Sequence, residues 1–526
     1  MTDGAADTAG ADPWASPRGR VVTGLLLLAV GVLAVLTATV FVEGAWRSFK
    51  DSAIYLLTAE SLAVGNGYSF LDTPFFVRPP GLSWVLALFM DGQPVAHESP
   101  GSGWDFRLAN QVIQIGAALT IVALLLVLKR VHGWGRAALV TLLFALNPLC
   151  LSSQNTVLAE FPFLALFFGA LFLLSRDDGD ARPVGWVAGL AGALLLGAAL
   201  YFRTVGVLML PALVIVGLAR GRPGRWRALV FSAVVVLAIL PWSLHSSAAR
   251  AQAERPSTQL LMFDYSTAML RVDPSDPDSA YVDPAGWWAR ITTNIGHIGE
   301  TMGHVFLGEE PGRGGVYHAS TAGYVLTLLV ALAMLYTWLS RRSLFDWTMA
   351  AYTGLILTYF VFTNRLLLPL LPMMLSSVVY SLDALGRVAR RRGALGQPGA
   401  ILVGAVTLAV LAMSLARIGP SRAQVPWRLE LLPGDRTTSR WILRNTRPDD
   451  VLLHEKGPIF EVLTGRRTYT NRNLPGPWPE GCPEVDYALF IRPLDDEQRI
   501  ADVTPGPVVI PVRATGETVR IYRFGD

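Results

Sequence analysis

Two cysteines occur in 526 residues, Cys150 inside an apolar run and Cys482 far downstream, so the chain has neither a disulfide framework nor a zinc-type spacing. Charge is also scarce: 16% of residues are charged against 52% hydrophobic, and the mean hydropathy is +0.41. A chain so poor in charge reads as a polytopic membrane protein rather than a soluble one. No Gly-rich loop of the nucleotide-binding kind is present, no Ser/His/Asp order stands out, and no charges gather midway along the apolar segments to mark an ion path. Nucleotide chemistry is therefore not expected. No internal repeat of the transporter kind is evident. A net charge of +4 and a pI near 9.1 would point to anionic partners in a soluble protein. Here the basic residues sit in short loops between apolar runs, where they report topology, and no nucleic-acid partner is expected.

What is there is length of apolar chain. Segments able to span a bilayer, at about 20 residues each, fall near 21–43, 105–128, 137–153, 156–175, 184–201, 204–219, 228–245, 321–340, 346–362, 366–386 and 399–417. The first run is too long for a signal-peptide core and lacks a clear cleavage site, so residues 1–20 read as a cytoplasmic tail before a retained helix. With that orientation the basic loops all fall inside: Lys129, Arg130 and Arg136; Arg176 and Arg182; Arg220, Arg222, Arg225 and Arg227; Arg341 and Arg342; Arg387, Arg390, Arg391 and Arg392. The expected fold is a polytopic α-helical membrane domain of about eleven transmembrane helices over 21–417, with outer loops at 44–104 and 246–320. A small extracytoplasmic α/β domain at 418–526 follows, from helix-like RTTSRWILRN and strand-like DVLLHE, VDYALFI, PVVIPV and VRIYRF.

The outer pieces hold the candidate chemistry. A helix is predicted over 49–64, stopped by Gly65, Asn66 and Gly67, with Asp51 in its first turn and Ser48 as a cap. Asp51 either has a purely structural capping role or, held ionised by the helix dipole at headgroup depth, takes a proton from an attacking hydroxyl. In FVRPPG, Arg78 precedes an apolar piece too short to span, and either snorkels or grips a lipid phosphate with two parallel hydrogen bonds. Arg203 in LYFRTVG and Arg365 in FTNRLLLPLLP fall at outer helix ends, against the positive-inside tendency. They are read either as interface anchors or as stabilisers of a phosphate leaving group. Glu160 opens an apolar helix, as a dipole partner or a functional acid. His297, Glu300 and His304 share one helical face and could hold a sugar or a metal; Trp287 and Trp288 could stack on a sugar or belong to an aromatic belt.

Taken in order, DSAIYLLTAESLAVGNGYSF, FFVRPPGLSWVLALF, RLANQVIQIGAAL, NPLCLSSQNTVLAEFPFLALFFGALFLL, YFRTVGVLMLPAL and NRLLLPLLPMM resemble the GT-C superfamily of membrane glycosyltransferases. The likeness is to the bacterial branch related to protein O-mannosyltransferases and to the aminoarabinose transferase of lipid A. It runs from about residue 21 to 386 and continues loosely through LTGRRTY. It implies a polyprenyl-phosphate sugar donor, an extracytoplasmic acceptor and a bacterial inner-membrane site facing outward. Asp51 maps onto the family's catalytic acid, Arg78 onto the cation before the second interfacial helix, Glu160 onto the acid of the fourth helix and Arg365 onto the late basic residue. Ser52 stands where some relatives have a second acid, and Val77 where others carry one, so a divalent metal cofactor is left open. The function expected is inverting glycosyl transfer to a lipid, glycan or protein hydroxyl. The alternatives are a transporter or flippase of lipid-linked sugar, in which the arginines bind phosphate and no base is needed, and a non-catalytic scaffold of envelope assembly.

Overall fold

The computed structural model describes residues 16–92 (except 45, 48, 71 and 72), 104–175, 184–252, 265–307 (except 274–278), 320–391 (except 361), 433–469 (except 455), 486–490, 508–511 and 518–523. The helix expected at 399–417, the Ser48 cap and Cys482 lie outside them.

The first helix, α1 (Pro17–Thr39), starts where the Ser16 side chain accepts from the Gly19 amide and Pro17 takes the first position. After it come α2 (Lys50–Ala63), the short antiparallel pair β1 (Ser69–Phe70) and β2 (Thr73–Pro74), and α3 (Gly81–Ala87). The bundle continues as α4 (Phe106–His132), α5 (Trp134–Ala145), α6 (Pro148–Ser153), α7 (Glu160–Leu174), α8 (Trp186–Leu200), α9 (Met209–Ala219) and α10 (Gly221–Gln252). Then follow α11 (Tyr265–Leu270), α12 (Pro284–Met302), α13 (Thr321–Arg341), α14 (Leu344–Thr358) and α15 (Leu371–Arg391). Among the described residues four helices, α1, α4, α10 and α13, are long and apolar enough to cross a membrane.

Several of the expected spans are shorter than the apolar pattern implied. Segment 137–153 is two helices, broken where the Asn147 side chain caps α6 and Pro148 removes an amide. Segments 204–219 and 366–386 begin instead as 3-10 turns, Thr204–Leu208 and Asn364–Leu367, and α7 opens only at Glu160. At 1.5 Å per residue, the 15 residues of α7 cover about 22 Å, less than a hydrocarbon core of about 30 Å. Apolar composition continues through these breaks, so hydropathy alone does not register them. Their effect is to leave the polar starts of three segments at the end of the bundle where α2 lies.

Close approach fixes that end. Gly116 of α4 faces Pro162 of α7, where an added Cβ would meet the Pro162 nitrogen at 2.9 Å. The Gly81 amide donates to Tyr201 O at 2.7 Å, and a Cβ there would lie 2.6 Å from that same oxygen. The start of α3 is thus locked to the end of α8, with Arg78 and Arg203 carried on either side of the contact.

In the tail, α16 (Pro433–Asn445), β3 (Leu452–His454), α17 (Gly457–Thr464), β4 (Thr468–Tyr469), β5 (Tyr487–Phe490), β6 (Val508–Pro511) and β7 (Thr518–Arg523) are described. The sheet order is β4-β3-β5-β7-β6, parallel across β4, β3 and β5 and antiparallel beyond. Leu453, Ile459, Val462 and Leu463 share one buried core with Ala53, Ile54 and Leu56 of α2, so α17 packs on the helix that carries Asp51.

Candidate active site

The start of α2 is tied down by Ser52. Its Oγ accepts from the Phe49 amide at 3.1 Å and donates to Phe49 O at 2.7 Å, and Trp46 Nε1 donates to it at 3.1 Å. With Phe49 extended at φ −139°, ψ 140°, the chain enters the helix without using the Asp51 carboxylate as a cap. Both Asp51 oxygens go to guanidiniums: Oδ1 accepts from Arg78 Nη2 at 2.6 Å and Oδ2 from Arg365 Nη2. Arg365 Nη1 also lies 3.7 Å from Glu160 Oε1, which accepts from Arg203 Nη1. The order Arg78–Asp51–Arg365–Glu160–Arg203 thus joins five distant segments, three cations against two anions, for a net +1.

Each cation is held from behind. The Arg78 carbonyl accepts from Tyr68 Oη at 3.0 Å, its guanidinium lies 5.7 Å from the Tyr55 ring, and the residue is 7% exposed. The Arg365 guanidinium stands 5.0 Å over the Phe49 ring. Its turn is pinned on one side by Tyr352 Oη donating to Leu366 O at 3.1 Å and on the other by Thr301 Oγ1 donating to Asn364 Oδ1 at 2.8 Å. Arg203 is the extended residue before its 3-10 turn, its amide bonded to Ala199 O at 3.0 Å. Burial raises the Asp51 pKa, but the Arg365 and Arg78 charges outweigh it and hold the carboxyl well below the usual carboxylate range. Asp51 is therefore ionised at neutral pH.

All five residues singled out for catalysis and phosphate contact meet here. The set His297, Glu300 and His304 does not form as expected. His297 Nδ1 pairs with Glu300 Oε2 at 3.0 Å and its ring stacks on Phe362, while His304 falls in the π-helical turn Gly303–Leu307, which takes it off the α12 register. Among the described residues no three His, Cys, Asp or Glu side chains converge to hold a metal. The main cluster suits a divalent ion poorly as well: Asp51 and Glu160 already accept from guanidiniums, and the excess charge is positive. Trp288 is 67% exposed on α12, and Arg290 lies 5.2 Å over Trp287.

Sequence reasoning missed the supports: Ser52, Tyr68, Asn364 and Asn294. The buried Asn294 amide donates to Ile356, Leu357 and Tyr359 carbonyls at 3.0, 3.1 and 2.8 Å, setting the end of α14 just before Arg365. An amide at a helix position facing core was the available signal.

No protein-family model matches the sequence, and no curated relative does. Solved structures do. ArnT from Cupriavidus metallidurans bound to undecaprenyl phosphate aligns at TM-score 0.52 and 13% identity over 95% of this chain and 98% of that one. The same enzyme in the apo state gives 0.52 and 14% over the same shares. The archaeal oligosaccharyltransferase AglB from Archaeoglobus fulgidus, in complex with an inhibitory peptide and a dolichol-phosphate, aligns at 0.54 and 12% over 90% of this chain and 70% of that one. These are GT-C glycosyltransferases, and at such identities the likeness shows that this chain has their fold.

Proposed function

We propose that the chain is an inverting glycosyltransferase of the bacterial inner membrane, which moves one sugar from a polyprenyl-phosphate carrier to an extracytoplasmic hydroxyl. The single observation that carries this is the junction of Asp51 with Arg78 and Arg365, backed by Glu160 and Arg203. Such a cluster has one group to take a proton and three to receive a phosphate. A site at that end of the bundle, among segments 44–104, 246–320 and the tail, faces outward in an eleven-helix topology. There those segments and the extracytoplasmic α/β domain enclose the acceptor. The parallels support this reading: ArnT was solved with undecaprenyl phosphate and AglB with a dolichol-phosphate.

Chemically, the acceptor oxygen attacks the anomeric carbon from the face opposite the phosphate. The new C–O bond forms as the carbon–phosphate-oxygen bond breaks, and the electron pair leaves with the polyprenyl phosphate. The hydroxyl proton passes to Asp51. Before transfer, three arginines, two carboxylates and a monoanionic donor sum to zero. Afterwards Asp51 is neutral, the phosphate is dianionic and the sum is again zero. The site therefore passes negative charge from carboxylate to phosphate between fixed guanidiniums, which is stabilisation aimed at charge that develops during reaction. Glu160 keeps Arg203 and Arg365 spaced and orients the sugar.

The test uses proteoliposomes charged with carrier lipids extracted from cells lacking the protein. Wild type is expected to consume the polyprenyl-phosphate sugar and Asp51→Asn to leave it. A protein that only moves lipid-linked sugar would redistribute it between leaflets in both cases, with no transfer.

A further inference from the structure

Arg78 is 7% exposed, and the Asp51 carboxylate is among its neighbours at 2.6 Å. Arg203 and Arg365 are more open, at 23% and 24% of side-chain surface. A carboxylate bridging two guanidiniums offers the same paired oxygens that a phosphate would. The Asp51 side chain, at 15% exposure, stands between Arg78 and anything approaching along Arg203 and Arg365. We propose that Asp51 is the resting occupant of the carrier-phosphate seat: the phosphate docks first on Arg203 and Arg365 and takes Arg365 from Asp51.

The exchange rests on the glycosyltransferase reading and gives it an order. With both guanidiniums in place Asp51 is a weak base, because each cation stabilises the ionised form. Loss of Arg365 to the phosphate removes one of them, so the base gains strength only when the donor is seated. After transfer Asp51 carries the acceptor's proton and no longer competes for the arginines. When it gives that proton to solvent, it becomes an anion again beside a dianionic phosphate, and reclaiming Arg365 drives the spent carrier out. The same side chain that accepts the proton thereby meters donor entry and carrier release.

This inverts the usual effect of deleting a charged group from a site. Asp51→Asn is nearly isosteric and mimics the protonated state, so the full-length variant is expected to bind undecaprenyl phosphate at least fivefold more tightly than wild type, although it transfers no sugar. Titration of undecaprenyl phosphate into nanodisc-embedded protein, read by native mass spectrometry, measures this. Asp51→Ser replaces it should the Asn variant not fold. Equal or weaker binding by the variant, with wild type binding normally, overturns the proposal and leaves the glycosyltransferase reading standing. Absence of undecaprenyl phosphate binding by wild type overturns both.

Discussion

The bundle has a charge cluster at each end, and the two are built differently. Along α4, whose 27 residues span about 40 Å, His132 marks the end away from α2. There Arg341 Nη2 donates to Asp346 Oδ1 at 2.5 Å, and the Ser343 amide and hydroxyl donate to Asp346 Oδ2 at 3.0 and 2.6 Å. His132 Nε2 and Ser376 Oγ are 2.6 Å apart, and Arg136 pairs with Asp383. Asp346 is 0% exposed and the Arg341 side chain 5%. Here the Arg341–Asp346 pair is sealed while Arg136 and Asp383 are 17% and 20% exposed, the two arginines match two aspartates, and Ser343 with Asp346 forms a capping box at one helix start. The Asp51 cluster differs in its charge: three arginines face two carboxylates, and Asp51 bridges two of the guanidiniums, whereas Asp346 accepts from one guanidinium and from its own helix cap. Balanced charge staples helices together; unbalanced charge leaves something for a ligand to complete.

Substitutions break the comparison in order of size. Asp51→Asn removes the proposed proton acceptor, and transfer per folded molecule is expected to fall by about 10³-fold, within the range for general bases. Arg365→Gln is expected to lower turnover by about 10²-fold, the scale of one lost charge-stabilising donor. Arg341→Gln at the far end leaves Asp346 buried without its cation. It is expected to cost about 3–5 kcal/mol of stability, seen in thermal unfolding, with turnover per folded molecule unchanged.

Which cluster does what was only half legible in the sequence. Asp51, Arg78, Glu160, Arg203 and Arg365 stood out because ionised groups at apolar helix ends are costly and so conspicuous. Their partnership was not, since nothing in local pattern ties residue 365 to residue 51. At the other end Arg136 and Arg341 registered only as basic residues of loops, because topology rules weigh cations and pass over Asp346 and Asp383. Helix 50–63 was legible within a residue or so from its apolar run and its Gly-Asn-Gly stop. The 3-10 starts at 204 and 364 were not, since apolar composition runs through them. His297, Glu300 and His304 misled because an ideal 3.6-residue period was carried into a π turn. In the tail, β4 at Thr468–Tyr469 is too short for alternation to reveal.

Acidity sharpens the contrast with smaller effects. Because the folded pKa of Asp51 lies below its ordinary 3.8, the stability from its ion pairs is fully present above that value and lost only as pH falls further. Asp51 is silent between about pH 5 and 8. His454, buried at the end of β3, behaves otherwise. Burial first, and then the Lys456 charge, push its pKa from 6.5 down to about 3. The unfolded chain then binds the extra proton, so stability in the tail is complete above 6.5 and declines as pH falls toward 3, by up to about 1.4 kcal/mol per pH unit. His454→Asn keeps an acceptor for the Lys456 amide, which now donates to His454 Nδ1 at 2.9 Å, and is expected to flatten that slope. Hydrogen exchange across 452–464 against pH reads it.

The most direct test places the two ends side by side in cells. Polyprenyl-phosphate-linked sugars and glycosylated envelope products are quantified by mass spectrometry in strains whose only copy is wild type, Asp51→Asn or Arg341→Gln. With Asp51→Asn a lipid-linked sugar is expected to accumulate while one product disappears, and with Arg341→Gln both are expected to track the amount of folded protein. A normal product level with Asp51→Asn would contradict the assignment of transfer to the Asp51 cluster.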